Sequence, residues 1–517
     1  MDKQKETDME QAKNMAVVTL NGTPHVCPIG TTLSDLTQTH GAGPMPCGGH
    51  GKCGKCRVTV VGEVSDPTED EKRTLSPDEL KNGIRLSCRV TVMGDCIVTT
   101  TEQGRGQIVT HGAFPASMSG KTFDPAWSGY GAAIDIGTTT LAARLYGREG
   151  NLLAETSRLN PQSAWGADVI SRMEAAMAGN AAKIARITRR ALDGMLTELA
   201  EAASVEIVDI GSVVITGNTV MLHLLTETNV EPLTHAPFAA ERLFGELLTA
   251  KELGLTALSP DASVYLPPCI AAFIGADTVT ATLASDLREI PETALLCDIG
   301  TNGEMVLWHE NILYACSTAA GPAFEGAGIS MGMSGRTGAI DRVWVQDGEI
   351  QAHVIGEGAP VGLCGSGLVD AVAALLDTEL LDETGYLEDD PVEIAEPVTI
   401  IQEDIRAVQL AKSAIHAGMR TLIHTARLDC GDVATLYIAG GFGSYLDVTN
   451  AGKIGLLPEE LTDRVTVLGN AALTGAAMLL LCEELRVVCE RLAKDTRIVE
   501  LATNPVFVSE YMERMMF

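Results

Sequence analysis

One stretch of this chain occurs twice, and that repeat constrains the fold more than any other feature. Residues 131–157, GAAIDIGTTTLAARLYGREGNLLAETS, match residues 294–318, ALLCDIGTNGEMVLWHENILYACST, element by element. Each copy has an apolar strand, Asp-Ile-Gly-Thr, a second strand, a short polar turn (Gly147–Asn151; His309–Asn311) and a third strand, with Asp135 and Asp298 lying 163 positions apart. Helical periodicity follows each copy, over Gly166–Ala178 and Asn180–Ala203 in the first and over Gly367–Leu381 and Asp404–Arg427 in the second. Strands alternating with helices predict an α/β body. Its two related halves, 131–290 and 291–517, would face each other across a cleft.

The repeated tetrapeptide carries chemistry. In Asp135-Ile136-Gly137-Thr138-Thr139-Thr140 a strand ends in a Gly-Thr turn. Backbone N–H groups of such a turn can face a phosphate, and threonine hydroxyls add donors. A carboxylate at the strand end can hold Mg²⁺, usually through water. Asp298-Ile299-Gly300-Thr301-Asn302-Gly303-Glu304 offers the same set from the second half. There is no Walker A sequence and no G-x-G-x-x-G opening a first helix, so P-loop and Rossmann folds lose ground. The two loops resemble the phosphate-1 and phosphate-2 loops of the sugar kinase/Hsp70/actin superfamily. Gly440-Gly441-Phe442-Gly443, after the strand-like TLYIA, resembles the adenosine motif of that superfamily. The resemblance implies that Gly440, Gly441 and Gly443 lie against adenosine.

Residues 15–103 differ in kind, with short β-rich runs (AVVTL, RVTVVGEV, IRLSCRVTVMGDCIVTTT) and a helix expected near Thr32–His40. Cys47, Cys53 and Cys56 read C-x5-C-x2-C, and Cys88 follows 32 positions after Cys56. Four thiolates of this kind suit a [2Fe–2S] cluster, with a close loop and one distant ligand. Glycines 48, 49, 51 and 54 permit tight turns and leave N–H groups for the sulfides, while Lys52, Lys55 and Arg89 offset cluster charge. Zinc is the competing ligand, but zinc ribbons bring two C-x2-C knuckles and this segment has one. The loop is one residue longer than the plant-type spacing and resembles the ferredoxins of several redox-enzyme subunits. A β-grasp ferredoxin-like domain is therefore expected. Cys27 and Cys96 fall in strand-like runs and read as core. Residues 104–130, rich in Gly, Pro, Ser and aromatics without periodicity, read as a linker. Residues 1–14 are expected to be disordered.

Three local strings narrow the match: Ile215–His223 (ITGNTVMLH), Ser317–Gly326 (STAAGPAFEG) and Cys364–Asp370 (CGSGLVD). With the cysteine head they resemble the ATP-dependent reductive activators of corrinoid proteins, over about residues 15–103 and 131–510. That resemblance implies a [2Fe–2S] cluster, ATP and Mg²⁺ as cofactors. It implies reduction of a corrinoid protein from Co(II) to Co(I), coupled to ATP hydrolysis and serving a corrinoid-dependent methyltransferase or O-demethylase system. A low-potential donor such as a ferredoxin or flavodoxin would supply the electron. Asp135 and Asp298 would hold Mg²⁺. Gly137, Thr138, Thr139, Gly300, Thr301 and Asn302 would hold phosphates. Glu304 is a candidate to orient water, or a strand residue facing solvent. Asn218, Thr219, Ser317, Thr318, Glu325 and Ser366 are candidate cleft or partner contacts, with a purely structural role the alternative. Some family members carry an extra middle domain, for which only residues 104–130 remain here, so a homodimer is an open expectation. A redox-sensing small-molecule kinase and a non-catalytic electron-transfer module are the competing functions.

Composition sets limits on partners. The 517 residues include 37 Lys plus Arg against 68 Asp plus Glu, a formal charge of −31, which disfavours nucleic acid and anionic lipid. The first residues lack the apolar core of a signal peptide, and the apolar run Ala471–Cys482 is too short to span a bilayer. A cytoplasmic location is the expectation, with most of the 13 cysteines as thiols or ligands. His223, His416, Met331, Met333, Met512, Met515 and Met516 read as packing residues.

Overall fold

The computed structural model describes residues 15–39, 45, 49, 51, 54–100, 112–356 and 358–517. Residues 1–14 and 104–111 lie outside this set, as do His40, Cys47 and Cys53. Two compact units are present, one joining 1–103 to 161–188 and the other joining 104–160 to 189–517.

In the first unit the strands are β1 (Met15–Leu20), β2 (Thr23–Pro28), β3 (Arg57–Val64), β4 (Ile84–Leu86) and β5 (Val92–Thr100). They form one mixed sheet in the order β2-β1-β5-β3-β4, with β1 parallel to β5. This is the expected β-grasp arrangement, crossed by helix α1 (Leu33–Thr39). Alternation decides which side chains turn inward: β5 is buried at every second residue, which sends Val92, Cys96 and Val98 into the core. Cys27 from β2 joins the same core, so both cysteines are packing residues. Segment 161–188 is tied in by Gln38 Nε2 donating to Ala164 O at 2.9 Å and Met45 N donating to Ser163 O at 3.2 Å.

A buried ion pair fixes the end of β4. Helix α2 (Glu69–Thr74) is capped by Thr68, and its Glu71 is fully buried. Arg85 Nε and Nη2 each donate to Glu71 at 2.9 Å, and Leu86 N donates to the same carboxylate at 3.0 Å. Burial pushes the Glu71 carboxyl up, but hydrogen bonds from Arg85, Thr68 and Leu86 leave it below the usual range.

The second unit contains the repeat. Strands β6 (Tyr130–Ile136), β7 (Thr140–Gly147) and β8 (Leu152–Leu159) make the first hairpin set. Strand β9 (Ile210–Gly217), with helix α3 (Ala181–Ala203) before it and α4 (Thr219–Thr226) after it, lies parallel to β6. With β10 (Glu246–Thr249) and β11 (Ser263–Leu266) they form a six-stranded sheet ordered β10-β11-β9-β6-β7-β8. Helix α5 (Ala276–Ala284) leads into the second set, β12 (Thr293–Ile299), β13 (Gly303–His309) and β14 (Ile312–Thr318). A side sheet of β15 (Ala339–Gln346), β16 (Glu349–Val354) and β17 (Gly362–Leu363), helix α6 (Gly365–Asp377), the hairpin β18–β19 (Val392–Ala395, Val398–Ile400) and helix α7 (Gln402–Thr425) follow. Then come β20 (Val433–Ala439), β21 (Val465–Gly469), α8 (Ala471–Leu481) and β22 (Arg497–Ile498), giving a second six-stranded sheet ordered β21-β20-β12-β13-β14-β22. The two sheets share a design: an antiparallel hairpin set with a parallel strand beside its first member. Strands β6, β7 and β12 are buried along nearly their whole length, which explains their continuous apolar runs.

The described part of the linker, 112–129, contains only one short 3₁₀ turn, yet it packs. Met118 and Trp127 are buried, and Trp127 Nε1 donates to Leu480 O at 2.9 Å. His223 and His416 are buried and hydrogen-bonded to Thr219 O and Gly455 O. Among the described residues no helix is long and apolar enough to cross a membrane.

Removing one partner of a buried ion pair leaves an uncompensated charge. Glu71→Ala is therefore expected to destabilise the first unit by about 3–5 kcal/mol. Denaturant unfolding followed by the visible absorbance of the reconstituted protein measures this, and a loss under about 1 kcal/mol would show that the pair does not hold the unit together.

Candidate functional site

Strands β6 and β12 each carry an aspartate as their second-last residue, with an isoleucine between it and a three-residue turn, Gly137–Thr139 and Gly300–Asn302. Those turns, with the N-termini of α5 and α8, line one cleft of the second unit. Asp135, Asp277, Asp298 and Glu304 all face it. Glu304 stands directly opposite Asp298 in the β12–β13 register and lines the cleft rather than facing outer solvent. Burial, followed by repulsion between neighbours, pushes Asp135, Asp277 and Asp298 each up to about 7 and Glu304 well above its ordinary value. Asn470 donates to Asp135 and Asn302 to Glu304, partly opposing the rise.

Three asparagines hold the first turn and the aspartate before it. Asn218 caps α4 by accepting from Met221 N at 2.9 Å and donates to Thr138 Oγ1 at 3.3 Å. Asn470 caps α8 by accepting from Leu473 N at 2.8 Å and donates to Asp135 Oδ2 at 3.0 Å. Asn160 adds a bond from its Nδ2 to Gly137 O at 2.8 Å. Opposite, Glu325 accepts from Thr139 Oγ1, from Thr301 N at 3.1 Å and from Thr301 Oγ1 at 2.9 Å. Gly440 has φ +94°, and a Cβ there would lie 2.6 Å from Asp298 Oδ1, so only glycine lets the backbone approach that carboxylate. The neighbouring Phe442 stacks on Phe324 with centroids 5.1 Å apart.

The cleft thus gathers Asp135, Gly137, Thr138, Thr139, Asn218, Asp298, Gly300, Thr301, Asn302, Glu304, Glu325, Ser366, Gly440 and Gly441. Four expected residues do not line it. Thr219 is buried in α4, its hydroxyl donating to Ala271 O at 2.6 Å. Ser317 and Thr318 are strand residues of β14, paired with Glu304 and Gly303. Gly443 packs against Ile438, where a Cβ would fall 2.4 Å from Cγ2. Asp277, Asn470 and Asp341 line the cleft without having been expected. Asn470 is the N-cap before an apolar helix, where an N-cap reading would have marked it, while Asp277 lies in the first turn of its helix behind the cap residue Gly275.

Among the described residues no group of three or more His, Cys, Asp or Glu is close enough to cage a metal alone. The four acids fit the Mg²⁺ mode in which water and substrate phosphate complete the shell.

In the first unit Cys56 and Cys88 bring their Sγ atoms to 3.4 Å, and Ser87 N donates to Cys56 O at 2.9 Å. Hydrogen bonding from Cys88 comes first among the causes that hold the Cys56 thiol down at about 6, with Ser87 adding to it against the effect of burial. A thiol eased toward its anion, beside a second thiol, suits a metal ligand. Gly49, Gly51 and Gly54 all have positive φ, and Arg89 donates to Gly49 O while pairing with Asp70 at 2.9 Å. These residues fit a cluster loop. The thiols of Cys27 and Cys96 are instead raised by burial.

A thiolate loop on a β-grasp sheet, with a duplicated-hairpin body around an acidic cleft, defines an iron–sulfur protein joined to an ATPase of the actin/Hsp70/sugar kinase class. Residues 18–93 match the 2Fe-2S iron-sulfur cluster binding domain, 130–290 the RACo middle region, and 292–517 the C-terminal domain of RACo, the ASKHA domain. The chain is 38% identical over 419 residues to "Corrinoid activation enzyme RamQ" of Eubacterium limosum, spanning 75% of this chain and 70% of that one. It is 25% identical over 417 residues to "[Co(II) methylated amine-specific corrinoid protein] reductase" of Methanosarcina barkeri, spanning 74% and 76%. The solved structure titled "Reductive activator for corrinoid,iron-sulfur protein" aligns with TM-score 0.71 and 26% identity over 97% of this chain and 98% of that one. The chain belongs to the family of ATP-dependent reductive activators of corrinoid proteins. The middle region expected to be missing is matched by 130–290, which folds as the first hairpin sheet and its helices rather than as an insert before them.

Carboxyls raised to about 7 in the fold contribute stability that is present below their unfolded pKa and lost as pH rises through about 7. A cation that relieves their repulsion should therefore stabilise more at higher pH. The rise in melting temperature on adding Mg²⁺ is expected to grow between about pH 6 and about pH 8.5, and a rise that is constant or shrinks would contradict the electrostatics of the cleft.

Proposed function

We propose that Cys47, Cys53, Cys56 and Cys88 hold a [2Fe–2S] cluster from which one electron passes to the Co(II) form of a partner corrinoid protein, while ATP hydrolysis in the acidic cleft drives the exchange. The observation that carries this reading is the four-carboxylate cleft in the same chain as the Cys56–Cys88 thiol pair. When bound, a plant-type cluster supplies a one-electron carrier near about −400 mV. Each further ~59 mV needed by the acceptor is a tenfold loss in equilibrium constant for one electron. Nucleotide can offset that only by favouring one conformation of the activator–acceptor complex over another.

The chain's own residues then have definite tasks. Asp135 and Asp298 would hold Mg²⁺, and Asp277 adds charge to the same wall. Gly137, Thr138 and Thr139 from one half, and Gly300, Thr301 and Asn302 from the other, take the phosphates with N–H and hydroxyl donors. Gly440 and Gly441 leave room for the nucleoside. Glu304 orients the attacking water once a cation has lowered its proton affinity. Asn218 and Ser366 complete the wall. The division into head (15–103), linker (104–130) and two ATPase halves (131–290, 291–517) is retained as the working scheme. A cytoplasmic location, a ferredoxin or flavodoxin donor and a homodimeric assembly belong to the same proposal.

The test mixes protein, a Co(II) corrinoid protein and a low-potential reductant, and follows Co(I) absorbance. It should grow only when Mg-ATP is added. Growth without ATP would refute the coupling. Cys56→Ser should abolish reduction and keep nucleotide binding, and Asp298→Asn should abolish ATP turnover with the cluster spectrum intact. Loss of both functions in each variant would refute the separation of roles.

A further inference from the structure

Glu325 places a carboxylate among the donors that a phosphate would need. It sits on the one-turn segment Ala323–Glu325. From there it accepts from Thr139 Oγ1 of the first turn, and from Thr301 N at 3.1 Å and Thr301 Oγ1 at 2.9 Å of the second. A Cβ built on Gly300 would lie 3.4 Å from Glu325 Oε1, so the carboxylate also lies against the bare backbone of that turn. Two hydroxyls and a turn N–H, one set from each hairpin, are the donors an anion selects at such strand ends. The surroundings are otherwise hostile to negative charge. Asp135, Asp277, Asp298 and Glu304 line the same cleft, and the Glu325 charge itself helps push the Asp298 carboxyl up. The donors, rather than any nearby side-chain cation, account for where the carboxylate sits.

We propose that Glu325 is an internal occupant of an anion subsite formed by Thr139, Gly300 and Thr301, which the terminal phosphate of a nucleoside triphosphate must displace. This rests on reading the cleft as the ATP site. The Glu325 segment is tied to both ends of the cleft. Gly321 N donates to Thr301 O at 2.9 Å, and Phe324, next to Glu325, stacks on Phe442 between Gly441 and Gly443. Moving Glu325 therefore shifts the segment that backs the nucleoside end of the cleft. After hydrolysis the returning carboxylate competes with the departing phosphate for the same donors and favours its release.

Binding of Mg²⁺ with a non-hydrolysable ATP analogue is measured by calorimetry on the full-length protein, for wild type, Glu325→Gln and Glu325→Ala. Breaking charge-assisted hydrogen bonds opposes binding in the wild type, so both variants should bind about tenfold tighter. Unchanged or weaker binding in both variants would overturn the proposal and make Glu325 a metal or phosphate contact instead. Absence of binding in the wild type would overturn the nucleotide reading itself, a distinct result. Hydrogen exchange in the wild type gives a second readout that needs no variant. The analogue should slow exchange at residues 137–140 and 300–302 and speed it at 322–327. Slower exchange across all three segments would contradict displacement.

Discussion

Burial of four carboxyl groups at one cleft, with their mutual repulsion added, is the constraint around which the second unit is arranged. Asp135 and Asp298 close equivalent strands, Glu304 stands across the register from Asp298, and Asp277 enters from the start of α5. Burial lifts all four above their ordinary range. Such a cluster disfavours the isolated fold and favours the fold that holds a cation and phosphate. The supporting groups fit that role. Asn218 and Asn470 each cap a helix with one end of the amide and, with the other, fasten Thr138 of the first turn and Asp135 just before it, so that geometry is set by elements far away in sequence.

The head follows a different logic. The Cys56–Cys88 pair is positioned beside a neutralised ion pair: Glu71 gathers Arg85 and Leu86, and Ser87 then ties the Cys88 segment to the backbone of Cys56. Cys88, remote in sequence, is brought beside Cys56 by the end of β4. A strained or mobile β4 would separate the two thiols, so cluster retention and the stability of the first unit should rise and fall together.

Much of this was legible in the sequence because local chemistry determined it. The repeated Asp-Ile-Gly-Thr marked both hairpins, since a strand end, a tight turn and a strand start are encoded in adjacent residues. Strand-like runs marked Cys27 and Cys96 as core, where the structure places them, and the C-x5-C-x2-C spacing followed by one distant cysteine set Cys56 and Cys88 apart as ligand candidates. Asn470 carried a local N-cap signal, but that it and Asp277 face the cleft depends on where two helix N-termini point, which is a tertiary property. Thr219 and Gly443 misled for the converse reason: they adjoin site residues in sequence, but helix and turn geometry face them into the core. Segment 104–130 read as a linker because it lacks periodicity, yet Met118 and Trp127 give its described part enough apolar area to pack. The grouping of 161–188 with the ferredoxin-like sheet has no local signal, since it rests on contacts such as Gln38 to Ala164.

Everything proposed for the second unit requires that the acidic cleft take ATP together with a divalent cation. Calorimetric titration with ATP, with and without Mg²⁺ and in two buffers of different ionisation enthalpy near neutral pH, tests this directly. Binding should need Mg²⁺ and release protons, because carboxyls held near about 7 must ionise to face the cation. Equally tight binding of metal-free ATP with no proton release would contradict the account.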